Sequence, residues 1–191
     1  MMKTTTVYFT RHGEVHNPQK ILYGRLPRFP LSENGKKEAQ FTAEELKDKG
    51  INVIYCSPML RARQTAGIIG KVLGIKPKII KDLTELRLLF QGMPSLEYKA
   101  KVQPFLFEEK YVRKGQEGIE EVYQRMKKTV ARILKNHQGE KVLIVSHGDP
   151  ILIYVAKTSG AEFTWEYKKN NYLKTGRYST LTYQQGKHIW K

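Results

Sequence analysis

Thr6-Val7-Tyr8-Phe9-Thr10-Arg11-His12-Gly13-Glu14 is a β-branched and aromatic run ending in a charged, glycine-punctuated tail. The run does not alternate apolar with polar residues, so it reads as a strand covered on both faces. The pattern returns late in the chain, where Val142-Leu143-Ile144-Val145 leads into Ser146-His147-Gly148. Val53-Ile54-Tyr55-Cys56 and Lys78-Ile79-Ile80 also read as buried strands. Two of the four strands therefore end in a His-Gly pair, and in a parallel α/β sheet ligands gather at the carboxyl ends of strands.

Helical patterns lie between these strands. Ser32 is placed to cap a helix from Glu33, with Ala39, Ala43 and Leu46 on one stripe and Gly50 as a stop. A second helix spans Arg61 to Leu73 and ends at Gly74. A third spans Gly118 to Leu134, with Val122, Met126, Val130 and Ile133 recurring on one face. Strands alternating with helices predict an α/β domain around a largely parallel sheet. Ser179–Tyr183 and His188–Trp190 alternate instead, and Gln184-Gln185-Gly186-Lys187 between them reads as a hairpin turn that extends one sheet edge. The stretch from about 90 to 115, with Pro94 and Pro104, predicts an irregular insertion lying over the strand ends rather than a second domain.

At 191 residues, 40% apolar and 27% charged, the chain fits a single domain, 1–191, with a core of its own. The first residues lack the apolar run of a signal peptide, and no stretch approaches the roughly 18 apolar residues of a membrane span. Cys56, the single cysteine, excludes an internal disulfide framework and fits a reducing cytoplasm, which is the expected location. Lys plus Arg number 34 against 18 acidic residues, a net charge of +16. That field attracts anions, among them phosphorylated metabolites and nucleic acid, but lysines scattered along solvated helix faces account for it equally well. No recognition helix or stacking platform accompanies the charge, so nucleic acid is not the expected partner. Nothing in the sequence reads out an oligomeric state.

The residues at the strand ends suit phosphoryl transfer through a histidine. The nucleophile must be an unprotonated imidazole nitrogen, and cationic neighbours such as Arg11 and Arg61 disfavour its protonation. Arg61 falls in the first turn of a helix after Ser57-Pro58, where helix and guanidinium both attract an anion. The arginines suit the non-bridging phosphate oxygens, and His147 can add a hydrogen bond. A carboxyl such as Glu85 can protonate the leaving oxygen and then activate water, though Glu85 also reads as a plain loop carboxylate. The histidines and acids show neither HExxH nor CxxC spacing, so no metal and no other cofactor is expected.

In this order, Arg11-His12-Gly13-Glu14, Ser57-Pro58-Met59-Leu60-Arg61-Ala62-Arg63-Gln64-Thr65-Ala66, Glu85 and Ser146-His147-Gly148 resemble the signature of the histidine phosphatase, or phosphoglycerate mutase-like, superfamily. The likeness runs over roughly residues 6 to 155. It implies a three-layer α/β/α sandwich with a small cap insertion at about 90–115. It implies His12 as the phosphorylated nucleophile and Glu85 as proton donor. Arg11, Arg61, His147, Gly148 and Asn17 would then hold the phosphate. Val15-His16-Asn17-Pro18, with Leu22 to Pro27 and Asp149-Pro150, resembles a bacterial phosphatase branch. Two departures stand out: Asn17 follows Arg11 by six residues where many relatives have seven, and Gln91 stands in Phe90-Gln91-Gly92 where Phe-Glu-Gly is expected. Asn17 thus reads either as a phosphate ligand or as an Asn-Pro turn. Tyr23, Gly24 and Arg25 are rim residues for the rest of a substrate, or loop surface. Cys56 reads as packing, His16 as a rim residue, His137 as a solvated helix end and His188 as an edge-strand residue.

The expected activity is cofactor-independent hydrolysis of small phosphate monoesters. A phosphoglycerate mutase would use the same phosphohistidine, but the chain is shorter than that resemblance supplies and lacks its His-Tyr-Gly-like run. An inactive binding protein has no reason to keep His12, Arg11, Arg61, Glu85 and His147 together.

Overall fold

A computed structural model describes residues 4–184 and 187–190. The first strand, β1 (Thr5–Arg11), lies at the centre of the sheet because both its faces are apolar: Val7 and Phe9 point to one side and Tyr8 to the other, all buried. After α1 (Glu33–Leu46) come β2 (Val53–Cys56), α2 (Leu60–Leu73) and the two-residue β3 (Lys78–Ile79). Two short helices follow, α3 (Ser95–Lys101) and α4 (Glu109–Val112), then α5 (Ile119–Asn136) and β4 (Lys141–Ser146). The chain continues through α6 (Gly148–Ser159), α7 (Trp165–Asn171), β5 (Tyr178–Gln184) and β6 (Lys187–Trp190).

Among the described residues the sheet has six strands in the order β3-β2-β4-β1-β5-β6. β3, β2, β4 and β1 run parallel; β5 pairs antiparallel with β1, and β6 antiparallel with β5. The expected C-terminal hairpin is thus two paired strands on one flank, although its turn residues 185 and 186 fall outside the described residues. The core is divided by the sheet. Val142 and Ile144 pack with α5 residues Val122, Met126, Val130 and Ile133 on one face, while Leu143 and Val145 pack with Ala43, Leu46, Ala62, Ala66 and Ile69 of α1 and α2 on the other. This period-two division of β4 produces the three layers.

The helix boundaries follow their punctuation. The Ser32 hydroxyl accepts the Gly35 N–H at 2.9 Å, and Gly74 closes α2 in the left-handed region at φ 69°. Three expectations need correction. β3 is not buried: Lys78 and Ile79 are exposed, Ile79 at 58%, because β3 is the outermost strand and Lys78 keeps that edge in water. The 90–115 stretch is not irregular; it forms α3, a 3-10 turn at Gln103–Phe105 and α4, and Tyr98, Val102 and Leu106 enter the larger core cluster. His137 does stand at the end of α5, but it is not solvated: its ring is held between the Glu140 carboxylate (2.7 Å) and the Tyr55 hydroxyl (2.9 Å). α6 carries no amphipathic stripe, because Ile151 to Tyr154 are all buried beneath the sheet flank; Pro150 is tolerated there in its first turn.

Candidate active site

The parallel ladder carries four chain segments to one edge. His12 continues β1 and donates its backbone N–H to Ser146 O at 3.0 Å, which locks the two His-Gly segments side by side. Ser57 N–H bonds to Val145 O at 2.9 Å, setting the start of α2 beside them, and Ile80 N–H bonds to Cys56 O at 2.9 Å, which brings in the loop to Glu85. Gly13 is required by packing: a Cβ there would drive into the Gly35 carbonyl of α1.

His12 is 1% exposed. Its Nδ1 lies 2.8 Å from Gly13 O, and Arg61 Nε donates to its Nε2 at 3.1 Å. A carbonyl can only accept and a guanidinium can only donate. Nδ1 therefore carries the proton, and Nε2 presents a lone pair. Burial, with Arg61 and Arg11 adding to it, holds the imidazole well below the ordinary histidine pKa. His147 is fully buried, 5.1 Å from His12 between ring centroids and inclined at 65°. Its Nε2 meets Ser57 Oγ at 2.7 Å, and that hydroxyl already accepts the Met59 N–H at 3.2 Å. His147 Nδ1 faces Glu85 Oε2 at 3.5 Å and makes no hydrogen bond among the described residues. Burial first, then Arg61, keeps this ring neutral too, with a pKa well below the ordinary value.

Arg61 is 1% exposed; its Nη2 donates to Gly24 O at 2.8 Å and lies 3.9 Å from Glu85 Oε2, with the guanidinium 4.8 Å over the Tyr23 ring. Arg11 donates to Leu173 O at 2.8 Å and stands 4.8 Å over the Tyr172 ring, and its buried Nε has no partner among the described residues. Glu85 Oε1 accepts the Leu86 N–H at 2.8 Å. Burial, then the charge of Asp149, raise the Glu85 pKa above the ordinary carboxyl value against the pull of Arg61. A cavity of about 300 Å³ opens beside these groups, lined among others by Arg11, Tyr23, Glu85, Asp149, Lys168 and Tyr172.

Ligand atoms of His12, Glu85 and His147 lie within 4.8 Å of one another, a spacing a cation could span. The setting does not suit one: the guanidiniums of Arg61 and Arg11 stand beside His12 and repel a cation. Two fixed guanidiniums beside the histidine pair fit an anion.

The structure brings His12, Arg11, Arg61, Glu85, His147 and Gly148 together, and sets Tyr23 and Gly24 on the cavity wall. It does not bring Asn17 or Arg25 to the cavity. Asn17 spends both ends of its amide on Ile21, Nδ2 on the carbonyl at 2.8 Å and Oδ1 on the N–H at 3.2 Å, so it staples a turn. Arg25 turns from the rim to donate to Glu85 O at 2.7 Å and to Glu117 at 2.9 Å. Glu117 also holds Arg125, whose Nη1 donates to Asp82 O and Thr84 O at 2.6 and 2.9 Å. This buried cluster fixes the loop that presents Glu85. Gln91 accepts the Arg25 backbone N–H through its Oε1, which anchors the same loop without an ionisable group. His16 is exposed, and Cys56 is buried with its thiol pushed up to about 11. Tyr172, Asp149, Lys168, Glu117 and Arg125 were not legible as site residues; only Asp149, adjoining Gly148, carried a sequence cue.

The sequence profile of the histidine phosphatase superfamily (branch 1) matches residues 7–191. The chain belongs to this superfamily. It is 32% identical over 160 residues to the uncharacterized phosphatase PhoE of Bacillus subtilis, covering 83% of this chain and 79% of that one. It is 42% identical over 92 residues to the uncharacterized protein Rv0525 of Mycobacterium tuberculosis, so it matches about half (46%) of that relative's length. Other relatives bear phosphoserine phosphatase and phosphoglycerate mutase names. The solved structure of Bacillus stearothermophilus YhfR superimposes with a TM-score of 0.84 at 25% identity, over 97% of this chain and 94% of that one.

Burying two histidines uncharged has a consequence for stability. Their folded pKa values are depressed, so their contribution is complete above the unfolded value of about 6.5 and is lost as pH falls toward the folded value, at about 1.4 kcal/mol per pH unit for each ring. Glu85, with its raised pKa, opposes this within the carboxyl range. Urea midpoints should therefore fall between pH 7 and pH 5, and His147→Gln should flatten the decline. A midpoint independent of pH across that window would contradict the buried neutral pair.

Proposed function

We propose that this chain hydrolyses small phosphate monoesters through a phosphohistidine on His12, with water as the final acceptor. The observation that carries the reading is the Nε2 lone pair of a buried, neutral His12, pinned by Arg61 and faced by a carboxyl with a raised pKa. In the first step Arg61 Nε passes its hydrogen bond from Nε2 to a phosphate oxygen, the freed Nε2 attacks phosphorus, the ester P–O bond breaks, and the leaving oxygen takes the Glu85 proton. In the second step Glu85, now a carboxylate, removes a proton from water, whose oxygen attacks phosphorus and breaks the P–N bond. Inorganic phosphate leaves and His12 and Glu85 return to their starting forms.

Arg11 and Arg61 balance the non-bridging oxygens throughout, the His147 Nδ1–H donates to one of them, and the Gly148 N–H adds the first turn of α6. On this reading the 90–115 segment, paired to the 20–24 loop through Leu22 N–H to Met93 O at 2.8 Å, caps the cavity of one domain. Each step balances within the residues present, so turnover is expected to survive prolonged EDTA treatment. Loss on chelation, with recovery on adding a divalent ion, would overturn the mechanism.

A mutase remains the second reading, because relatives with that name share the fold and family. The same phosphoenzyme would return its phosphoryl group to a sugar-acid hydroxyl instead of to water. A panel of phosphate monoesters, assayed for phosphate release alongside bisphosphoglycerate-dependent isomerisation of phosphoglycerate, separates the two. Release from several small esters is the expected result. Isomerisation without release would replace hydrolysis by the mutase.

A further inference from the structure

Asp149 is a second buried acid on the cavity wall that holds Glu85, and the mechanism above does not use it. It is the second residue of α6, two beyond His147, and is 7% exposed. Lys168, from α7, is 4% exposed and brings Nζ to 2.5 Å from Asp149 Oδ1. Burying such a pair is a poor route to stability, since apolar residues of the same volume are often as stable or more so. The pair is also imperfect. Asp149 Oδ1 lacks a well-directed hydrogen bond, and the Lys168 ammonium leans over the Tyr172 ring at 5.2 Å. Asp149 is thus an ion-paired carboxylate, buried on the same cavity wall as Glu85, where charges act over longer range than in bulk water.

We propose that Asp149 is a positioning residue that keeps the proton on Glu85, with Lys168 holding Asp149 in place. The inference rests on Glu85 being the general acid. The charges around Glu85 show why it is needed. Arg61 of α2, 3.9 Å away, and Arg11 of β1 both favour the carboxylate, as does the Leu86 N–H. His147 at the end of β4 is neutral, and Arg25 and Arg125 touch Glu85 only at its backbone carbonyl, spending their other donors on Glu117 and, for Arg125, on Asp82 O and Thr84 O. Tyr23, Tyr98 of α3 and Tyr172 line the same cavity as phenols, each with its pKa raised. Burial is the first influence favouring the acid form; next, Asp149 is the charge that opposes the two guanidiniums, on a cavity wall that also carries Lys99 of α3 and Lys168 of α7. The first chemical step needs the acid form, which burial and then the Asp149 charge favour against the two arginines.

The test is the pH dependence of kcat/KM for D149N, with an alkyl phosphate and with p-nitrophenyl phosphate, beside wild type, D149E and E85Q. Without the opposing charge Glu85 should release its proton at lower pH. The alkaline limb for the alkyl ester should move to lower pH in D149N, a loss of roughly 3- to 10-fold on that side. D149E should restore the limb. For p-nitrophenyl phosphate, whose leaving group needs no proton, the limb should stay where it is. D149S serves as a second neutral variant if D149N does not fold. Superimposable profiles for wild type and the neutral variants, or equal losses on both esters at every pH, would overturn the proposal. If E85Q itself fails to discriminate between the esters, the acid assignment falls first, and that outcome is distinct from the failure of Asp149.

Discussion

His12→Ala should lower turnover of every phosphate monoester by on the order of 10⁴-fold or more, while the protein stays folded. The size follows from the covalent route: without Nε2 phosphorus has no protein nucleophile, and water must attack the ester directly. The substitution leaves Gly13 O and Arg61 Nε each short of one partner, at a cost of about 1–3 kcal/mol for each buried group. Arg61 stays tied to Gly24 O, and the β1–β4 ladder does not pass through the imidazole. Thermal unfolding should therefore show a lowered but cooperative transition. Turnover within tenfold of wild type in a folded His12→Ala protein would remove the nucleophile from the account.

Glu85→Gln should divide substrates by their leaving groups. Alkyl esters, whose departing alkoxide needs a proton, should lose roughly 10²- to 10⁴-fold in kcat/KM, and p-nitrophenyl phosphate should lose far less. Glutamine keeps the shape and can still accept the Leu86 N–H, so the carboxyl proton is what changes. Its position 3.5 Å from His147 Nδ1 and 3.9 Å from Arg61 puts it against the same space as His12 Nε2. Similar losses for both classes of ester would give the proton to another group.

Local chemistry was legible where neighbours in sequence decide it. β1 and β4 are apolar on both faces, so they read as central strands, and their His-Gly endings were adjacent once the strands paired in parallel. Helix stops at Gly50 and Gly74 follow from the left-handed turn that glycine tolerates. What escaped reading depends on residues far apart along the chain. Glu117 gathers Arg25, 92 residues before it, and the Asp149–Lys168 pair joins two helices that no motif relates. Asn17 and Arg25 looked like ligands because they are polar residues in a loop near the nucleophile. The Ile21 carbonyl of the same loop claims Asn17, and the distant Glu85 carbonyl and Glu117 carboxylate claim Arg25. β3 looked buried from Ile79 and Ile80, but strand order, which no local pattern encodes, puts it at the sheet edge.

The most direct test of the central claim is to trap the phosphoryl group. The protein, mixed briefly with a labelled monoester and quenched in alkali, should carry one label per chain. That label should be lost in acid, as a phosphoramidate is, and should map by peptide mass spectrometry to His12. Label on any other residue, or undiminished label on His12→Ala, would contradict it.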